Sequence, residues 1–289
     1  MRNEETKVKK YLLLSFLLPF LISCQQEQTP ESRYNPAKAG AEITKTIDIG
    51  DKIQYDSSLK EPRVLMSYYN NNYYLFHNEK VNVLNGESLN QVDQFDIGIK
   101  QTYPNYNDYI YSSFAVFNNK MLFLYKEEYN VGSSKNAVFQ TDLTGNNLQI
   151  LDLSDDFDRI FVVMKLGYNN YNNRVWLNCI NFYEYVYDKN KNTYTKVDEL
   201  DSNWCLEVLH FYNKDFWVGH KYFGTSPFFN KDLILEKYNI ADYYNIIKSV
   251  NLYYLDIDES PYDLIFNDTD LEILYNKGDK LYLSKLKVY

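Results

Sequence analysis

Apolar and polar residues alternate along this chain in short runs, and turns rich in Asn and Asp separate the runs. Five runs set the pattern: Tyr73-Tyr74-Leu75-Phe76, Met121-Leu122-Phe123-Leu124, Val175-Trp176-Leu177, Phe216-Trp217-Val218 and Leu271-Glu272-Ile273-Leu274. They follow Asn71-Asn72, Asn118-Asn119, Asn172-Asn173, Asn213-Lys214-Asp215 and Asn267-Asp268, respectively. Aromatic and β-branched runs of this length, bounded by such turns, predict strands. Helical periodicity is nearly absent, and a helix competes only over 233–248.

The pattern also repeats at long range. An apolar, Asp or Asn, apolar triplet recurs as Ile47-Asp48-Ile49, Phe95-Asp96-Ile97, Leu151-Asp152-Leu153 and Val250-Asn251-Leu252, with a looser Leu200-Asp201 between the last two. The central positions are separated by 48, 56, 49 and 50 residues. Each interval holds an apolar strand, a polar turn, a second strand, a longer hairpin and a closing alternating strand.

Four-stranded antiparallel units at this period cannot cover both faces alone and must stack around an axis, so the expected fold class is all-β, a β-propeller. The last unit, from about 263 to 289, shows three strands, whereas 44–49 is a closing strand with no unit before it. Docking this strand beside the last unit would remove an open edge. Five blades closed by an N-terminal strand are therefore expected. Six blades, with one degenerate, is the main alternative, followed by another all-β fold.

The first 23 residues read differently. Lys7, Lys9 and Lys10 precede an apolar run over 11–22 that ends in Leu21-Ile22-Ser23-Cys24. This run is shorter than the roughly 20 apolar residues of a bilayer span. The arrangement resembles a bacterial lipoprotein signal peptide with its lipobox. That resemblance implies removal of 1–23 and acylation of Cys24, palmitate included; a plain secretory leader is the alternative. Each buried acyl methylene contributes roughly 0.8 kcal/mol, so several chains hold a protein on a membrane durably. Gln25 stands where an Asp would resemble an inner-membrane retention signal, which directs the expectation to the outer membrane, periplasmic or surface-exposed. Gln25-Gln26-Glu27 resembles the polar-acidic surface-export tags of Bacteroidota lipoproteins. The division read from the sequence is a signal peptide over 1–23, a flexible tether over 24–40 and a β-propeller domain over 41–289. This layout resembles the lipid-anchored propeller proteins of Bacteroidota envelopes, a resemblance that transfers no residues.

Charge narrows the partners. The chain has 30 basic and 39 acidic residues, a net charge of −9, and loss of the leader takes it to −11. Such a surface repels phosphate backbones, and no basic stripe offsets it, so nucleic acid is not expected as a partner. The 30 Tyr and abundant Asn suit glycan binding and follow equally from AT-rich coding. Cys179 and Cys205 suit either a disulfide or two buried thiols. No CxxC or Cys/His ligand spacing occurs, and no cofactor or metal is expected.

Candidate chemistry falls into three groups. His77, Tyr125, Cys179, His220 and Tyr275 occupy one equivalent position, the fifth residue of each second strand, where they form a polar ring for a metal or small ligand or stand too far off the axis to meet. Arg63 and Arg159 each open an innermost strand, where guanidinium groups clamp an anionic ligand or pair with Glu61, Asp156 and Asp158. Tyr103, Tyr106, Tyr109, Trp204, Tyr254 and Tyr262 lie in loops, where they stack on sugars, anchor a protein or pack the blade junctions. The acidic runs 155–158 and 256–259 lack an EF-hand pattern and read as solvated turns. No nucleophile elbow, metalloprotease or phosphate-loop motif is present, and no residue is assigned a catalytic role. The expected function is a lipid-anchored envelope module that binds a protein or glycan and is not an enzyme. An envelope enzyme acting on polysaccharide at an axial pocket and a structural scaffold are the alternatives.

Overall fold

Two of the Asn-rich turns, at 70–71 and 118–119, lie within the described residues and do their work through backbone conformation. Asn70 and Asn71 have φ of 48° and 59°, and Asn118 and Asn119 have 47° and 59°. Asn tolerates the left-handed region better than most residues, and two successive positive φ values reverse the chain with the twist that neighbouring strands require. The runs on either side consequently pair as tight hairpins.

The computed structural model describes residues 33–289 except 60–62, 128–135, 152–164, 170–173, 179–181, 189–192, 201–206, 213–214, 220–233, 240–245, 259–260 and 268–269. The described residues form five four-stranded antiparallel sheets. One contains β2 (Leu65–Tyr69), β3 (Asn72–His77), β4 (Lys80–Asn85) and β5 (Gln91–Asp96). The next contains β6 (Tyr109–Phe117), β7 (Lys120–Glu127), β8 (Asn136–Asp142) and β9 (Gln149–Leu151). Two more run from β10 (Lys165–Asn169) through β11 (Arg174–Asn178) and β12 (Phe182–Asp188) to β13 (Thr193–Leu200), and from β14 (Glu207–Tyr212) through β15 (Asp215–Gly219) and β16 (Ile234–Asn239) to β17 (Lys248–Asn251). The last joins β18 (Asp263–Asn267), β19 (Asp270–Lys277) and β20 (Lys280–Val288) to β1 (Ala41–Asp48), in the order β1-β20-β19-β18.

The first strands of these sheets touch in sequence, β2 to β6 to β10 to β14 to β18, and β18 touches β2 again. Sheets stacked around a common centre in this way make a β-propeller. β1 closes the last sheet, with Ala41 opposite Val288 and Asp48 opposite Tyr282 and one slip between Ile43 and Lys45. The outermost strands β1, β5, β9, β13 and β17 end at Asp48, Asp96, Leu151, Leu200 and Asn251, all positions of the recurring pattern, and the five apolar runs are all in second strands.

Two expectations need correction. Residues 234–239, within the stretch where a helix competes, form β16. Leu235 and Lys237 alternate inward there, and the Lys237 ammonium lies 4.5 Å from the centre of the Phe266 ring. The packed part of the chain also begins before Ala41. The short helix α1 (Pro36–Ala39) is capped by the Asn35 side chain, the Asn35 amide donates to the Tyr254 carbonyl at 2.8 Å, and Ala39 is buried. Backbone hydrogen bonds, from Asn35 to the Tyr254 carbonyl and from Tyr289 to the Gly40 carbonyl, are part of this docking, and composition does not reveal them.

The core is divided between sheet junctions. Tyr74, Phe76, Phe114, Phe123 and Phe139 fill the junction between the β2–β5 and β6–β9 sheets, with Phe76 and Phe123 4.8 Å apart edge to face. Each buried aromatic of this kind contributes about 1.5–3 kcal/mol. The junction between the β2–β5 sheet and the closing sheet buries Met66, Tyr73, Leu75, Leu84, Ile265, Leu274 and Leu283. This second junction also carries polar groups. The Asp263 carboxylate accepts the Met66 amide at 2.9 Å, and the Tyr73 hydroxyl donates to Glu272, which pairs with Lys285 at 2.6 Å.

Candidate functional site

Three first strands bring side chains together at their N-terminal ends. Arg63 precedes β2, Tyr262 precedes β18, and Tyr111 is the third residue of β6. Arg63 Nη2 donates to the Tyr262 carbonyl oxygen at 3.2 Å, which ties the two sides of the closing junction. The Tyr111 hydroxyl donates to the Arg63 carbonyl oxygen at 2.9 Å, which ties in the other neighbour. Tyr55, from the connection after the short helix α2 (Gly50–Ile53), places its hydroxyl 2.9 Å from that of Tyr262.

His77, at the end of β3, lies beneath this group. Its ring centre is 5.5 Å from that of Tyr55, and its Nδ1 is 3.2 Å from the Arg63 carbonyl oxygen. A carbonyl only accepts, so Nδ1 carries the proton and Nε2 is left with a lone pair. Nε2 is buried with no hydrogen-bond partner, and the residue is 4% exposed. Burial holds the imidazole below its usual range, against the opposing hydrogen bond to Arg63 and the charge of Asp56. Burial also pushes the Tyr55 phenol up, with the Tyr262 hydroxyl adding to the effect. At neutral pH the cluster therefore holds a neutral imidazole and a neutral Tyr55 phenol beside one permanent cation, Arg63. Arg63 is half-buried and makes no ion pair among the described residues.

The other candidates separate. His77, Tyr125 and Tyr275 hydrogen-bond to different groups: His77 to the Arg63 carbonyl, the Tyr125 hydroxyl to the Glu79 carboxylate, and that of Tyr275 to Ser284 at 3.2 Å. Glu79 also accepts the Ile99 and Lys100 amides, at 2.8 and 3.3 Å, so Tyr125 belongs to a structural staple. Tyr106 packs in a junction, with its ring 4.8 Å from Tyr109 and 5.1 Å from Phe139. Tyr254 lies beneath the Lys38 ammonium at 5.5 Å. Cys24, Arg159, Cys179, Trp204, Cys205 and His220 lie outside the described residues, as do the Asp155-Asp156-Phe157-Asp158 run and Glu61. Among the described residues no group of three His, Cys, Asp or Glu is placed to hold a metal.

Sequence reasoning missed Tyr55 and Tyr111. Tyr55 follows the left-handed Gln54 in a connection with no strand period, and Tyr111 sits inside an ordinary alternating run. No local signal in the sequence distinguishes either from the other tyrosines.

No family and no curated protein matches the chain. Among solved structures it is similar to Kluyvelomyces marxianus Hsv2, at 11% identity and a TM-score of 0.32, over 75% of this chain and 63% of that one. It therefore spans less than two thirds of the length of Hsv2. It is also similar to the β-propeller domain of Myceliophteria thermophila Cps50 (Swd1), at 7% identity and a TM-score of 0.39, over 78% of this chain and 69% of that one. At such scores the fold rests on the strand pairing described above.

Proposed function

We propose that the protein is a lipid-anchored binding module of the cell envelope, held by acylated Cys24 at the outer membrane, and that it presents the Arg63 end of its propeller to a protein or glycan. The leader pattern and the lipobox-like Leu21-Ile22-Ser23-Cys24 support the anchor. The observation that carries the binding role is the cluster of Arg63, Tyr55 and Tyr262, one half-buried cation with two hydroxyls from separate segments of the chain at the ends of inner strands. A propeller offers a ligand a concave centre lined by such groups, and few polar side chains are needed to orient what enters.

Two measurements test this reading. Radiolabelled palmitate fed to expressing cells labels the protein, and Cys24→Ala abolishes both the label and its membrane fractionation. A screen of immobilised envelope glycans and purified envelope proteins yields a ligand whose binding Arg63→Ala weakens. A chain that stays unlabelled, or one that turns over polysaccharide without holding any ligand, overturns the proposal.

A further inference from the structure

We infer that the group recognised at the Arg63 end is the carboxylate of an acidic sugar, a uronic acid unit of an anionic glycan. This inference rests on the binding role proposed above and specifies its ligand. The first ground is charge. Arg63 is a half-buried guanidinium that makes one hydrogen bond, to the Tyr262 carbonyl, and no ion pair among the described residues. A guanidinium has five donors in a fork that matches a carboxylate, and a partly desolvated cation gains most from an anion brought to it. In a chain with net charge −9 this cation is a local exception, so it selects against the general repulsion of anions instead of adding to a basic surface.

The second ground is the single charge. Among the described residues the groups hydrogen-bonded to Arg63 are neutral, the Tyr262 carbonyl and the Tyr111 hydroxyl, with the Tyr55 and Tyr262 hydroxyls 2.9 Å apart beside them, while the Asp56 carboxylate, which acts on Tyr55 and His77, is engaged with Ser58. One cation among neutral donors complements a monoanion, and it leaves a phosphate dianion undercompensated. The third ground is the tyrosine pair. Of two phenols bonded to each other, one keeps its O–H as a donor and both keep acceptor lone pairs, which together match the mixed donors and acceptors of sugar hydroxyls. An aspartyl or C-terminal carboxylate of a peptide satisfies the guanidinium but leaves that second set of groups without a role.

Calorimetric titration of the purified protein decides the matter, with tetragalacturonate, the matched neutral galactose oligomer, inorganic phosphate and an acidic tetrapeptide as probes. The expected result is saturable binding of tetragalacturonate, at least tenfold weaker binding of the neutral oligomer, and weakening with added salt. Arg63→Gln lowers the affinity at least tenfold, Arg63→Lys recovers part of it, and Tyr262→Phe lowers it a few-fold, with melting curves recorded for each variant. The wild-type comparison of charged and neutral oligomers holds even where Arg63→Gln destabilises the fold. Equal binding of the two oligomers, or an Arg63→Gln protein that is folded and unchanged in affinity, overturns this inference and leaves the binding role standing. Preference for phosphate or for the peptide overturns it in favour of that ligand. Loss of binding to every glycan and envelope protein overturns both readings.

Discussion

His77 is held neutral by its position. It is buried, its Nδ1 proton is committed to the Arg63 carbonyl, and its Nε2 has no partner. Protonation would place a charge where solvent does not reach, so the folded pKa lies below the usual value of 6.5. The unfolded chain then takes up the proton first as pH falls, and stability decreases from about pH 6.5 down to the folded pKa, below which the effect saturates. Urea denaturation of the wild type between pH 7.5 and 5 is expected to show this decline. His77→Gln, which keeps a donor for the Arg63 carbonyl, flattens it. Asp48 and Asp56 do not mimic the effect, because Lys280 and Ser58 hold their pKa values below 3.8 and their contribution is lost only in more acidic solution. Asn82 makes the same point about the closing junction: both of its side-chain polar atoms are buried without partners.

The hairpins turned at Asn70-Asn71 and Asn118-Asn119 are specified within a few residues, and the elements most legible in the sequence are of this kind. The second strands and the ends of the outermost strands were readable because two-residue Asn turns and alternating aromatics act locally. Asn118 tests the argument. Its φ of 47° costs a β-branched residue about 1–2 kcal/mol, so Asn118→Val is expected to destabilise by that amount while Asn118→Gly stays within about 0.5 kcal/mol, as read by thermal melting. Gly40 is the stricter case. It has φ of 72°, and a Cβ there would stand 2.5 Å from the Ser249 carbonyl oxygen, so Gly40→Ala loosens α1 from its neighbour at a cost of about 1–3 kcal/mol. That contact was hidden in the sequence because α1 docks through backbone groups, a glycine and the small Ala39, and 24–40 is mostly polar. Within the candidate site Arg63, His77 and Tyr262 were legible, since they flank strand signals, whereas the hydroxyl partners Tyr55 and Tyr111 depend on segments far apart in the chain.

The last sheet of the ring is completed by one long-range pairing, that of β1 with β20. Thr46 and Ser284 face each other across β1 and β20 with their hydroxyl oxygens 2.8 Å apart. Replacing both by Cys is expected to form a disulfide spontaneously under oxidising conditions. Closing so long a loop raises stability by as much as about 5 kcal/mol, measured as the difference between oxidised and reduced denaturation curves. If β1 docked elsewhere, the thiols would remain free. Ring closure was readable in the sequence because the chain begins its repeats with a strand that has no unit before it and ends them one strand short. The pairing of Ala41 with Val288 also sets an order of events during synthesis. A nascent chain still missing its last strand leaves β1 without a partner and β19 with a bare edge, however well the intervening sheets have formed. Ribosomes that stall or terminate early thus release an unclosed product, which proteases can distinguish from the finished ring.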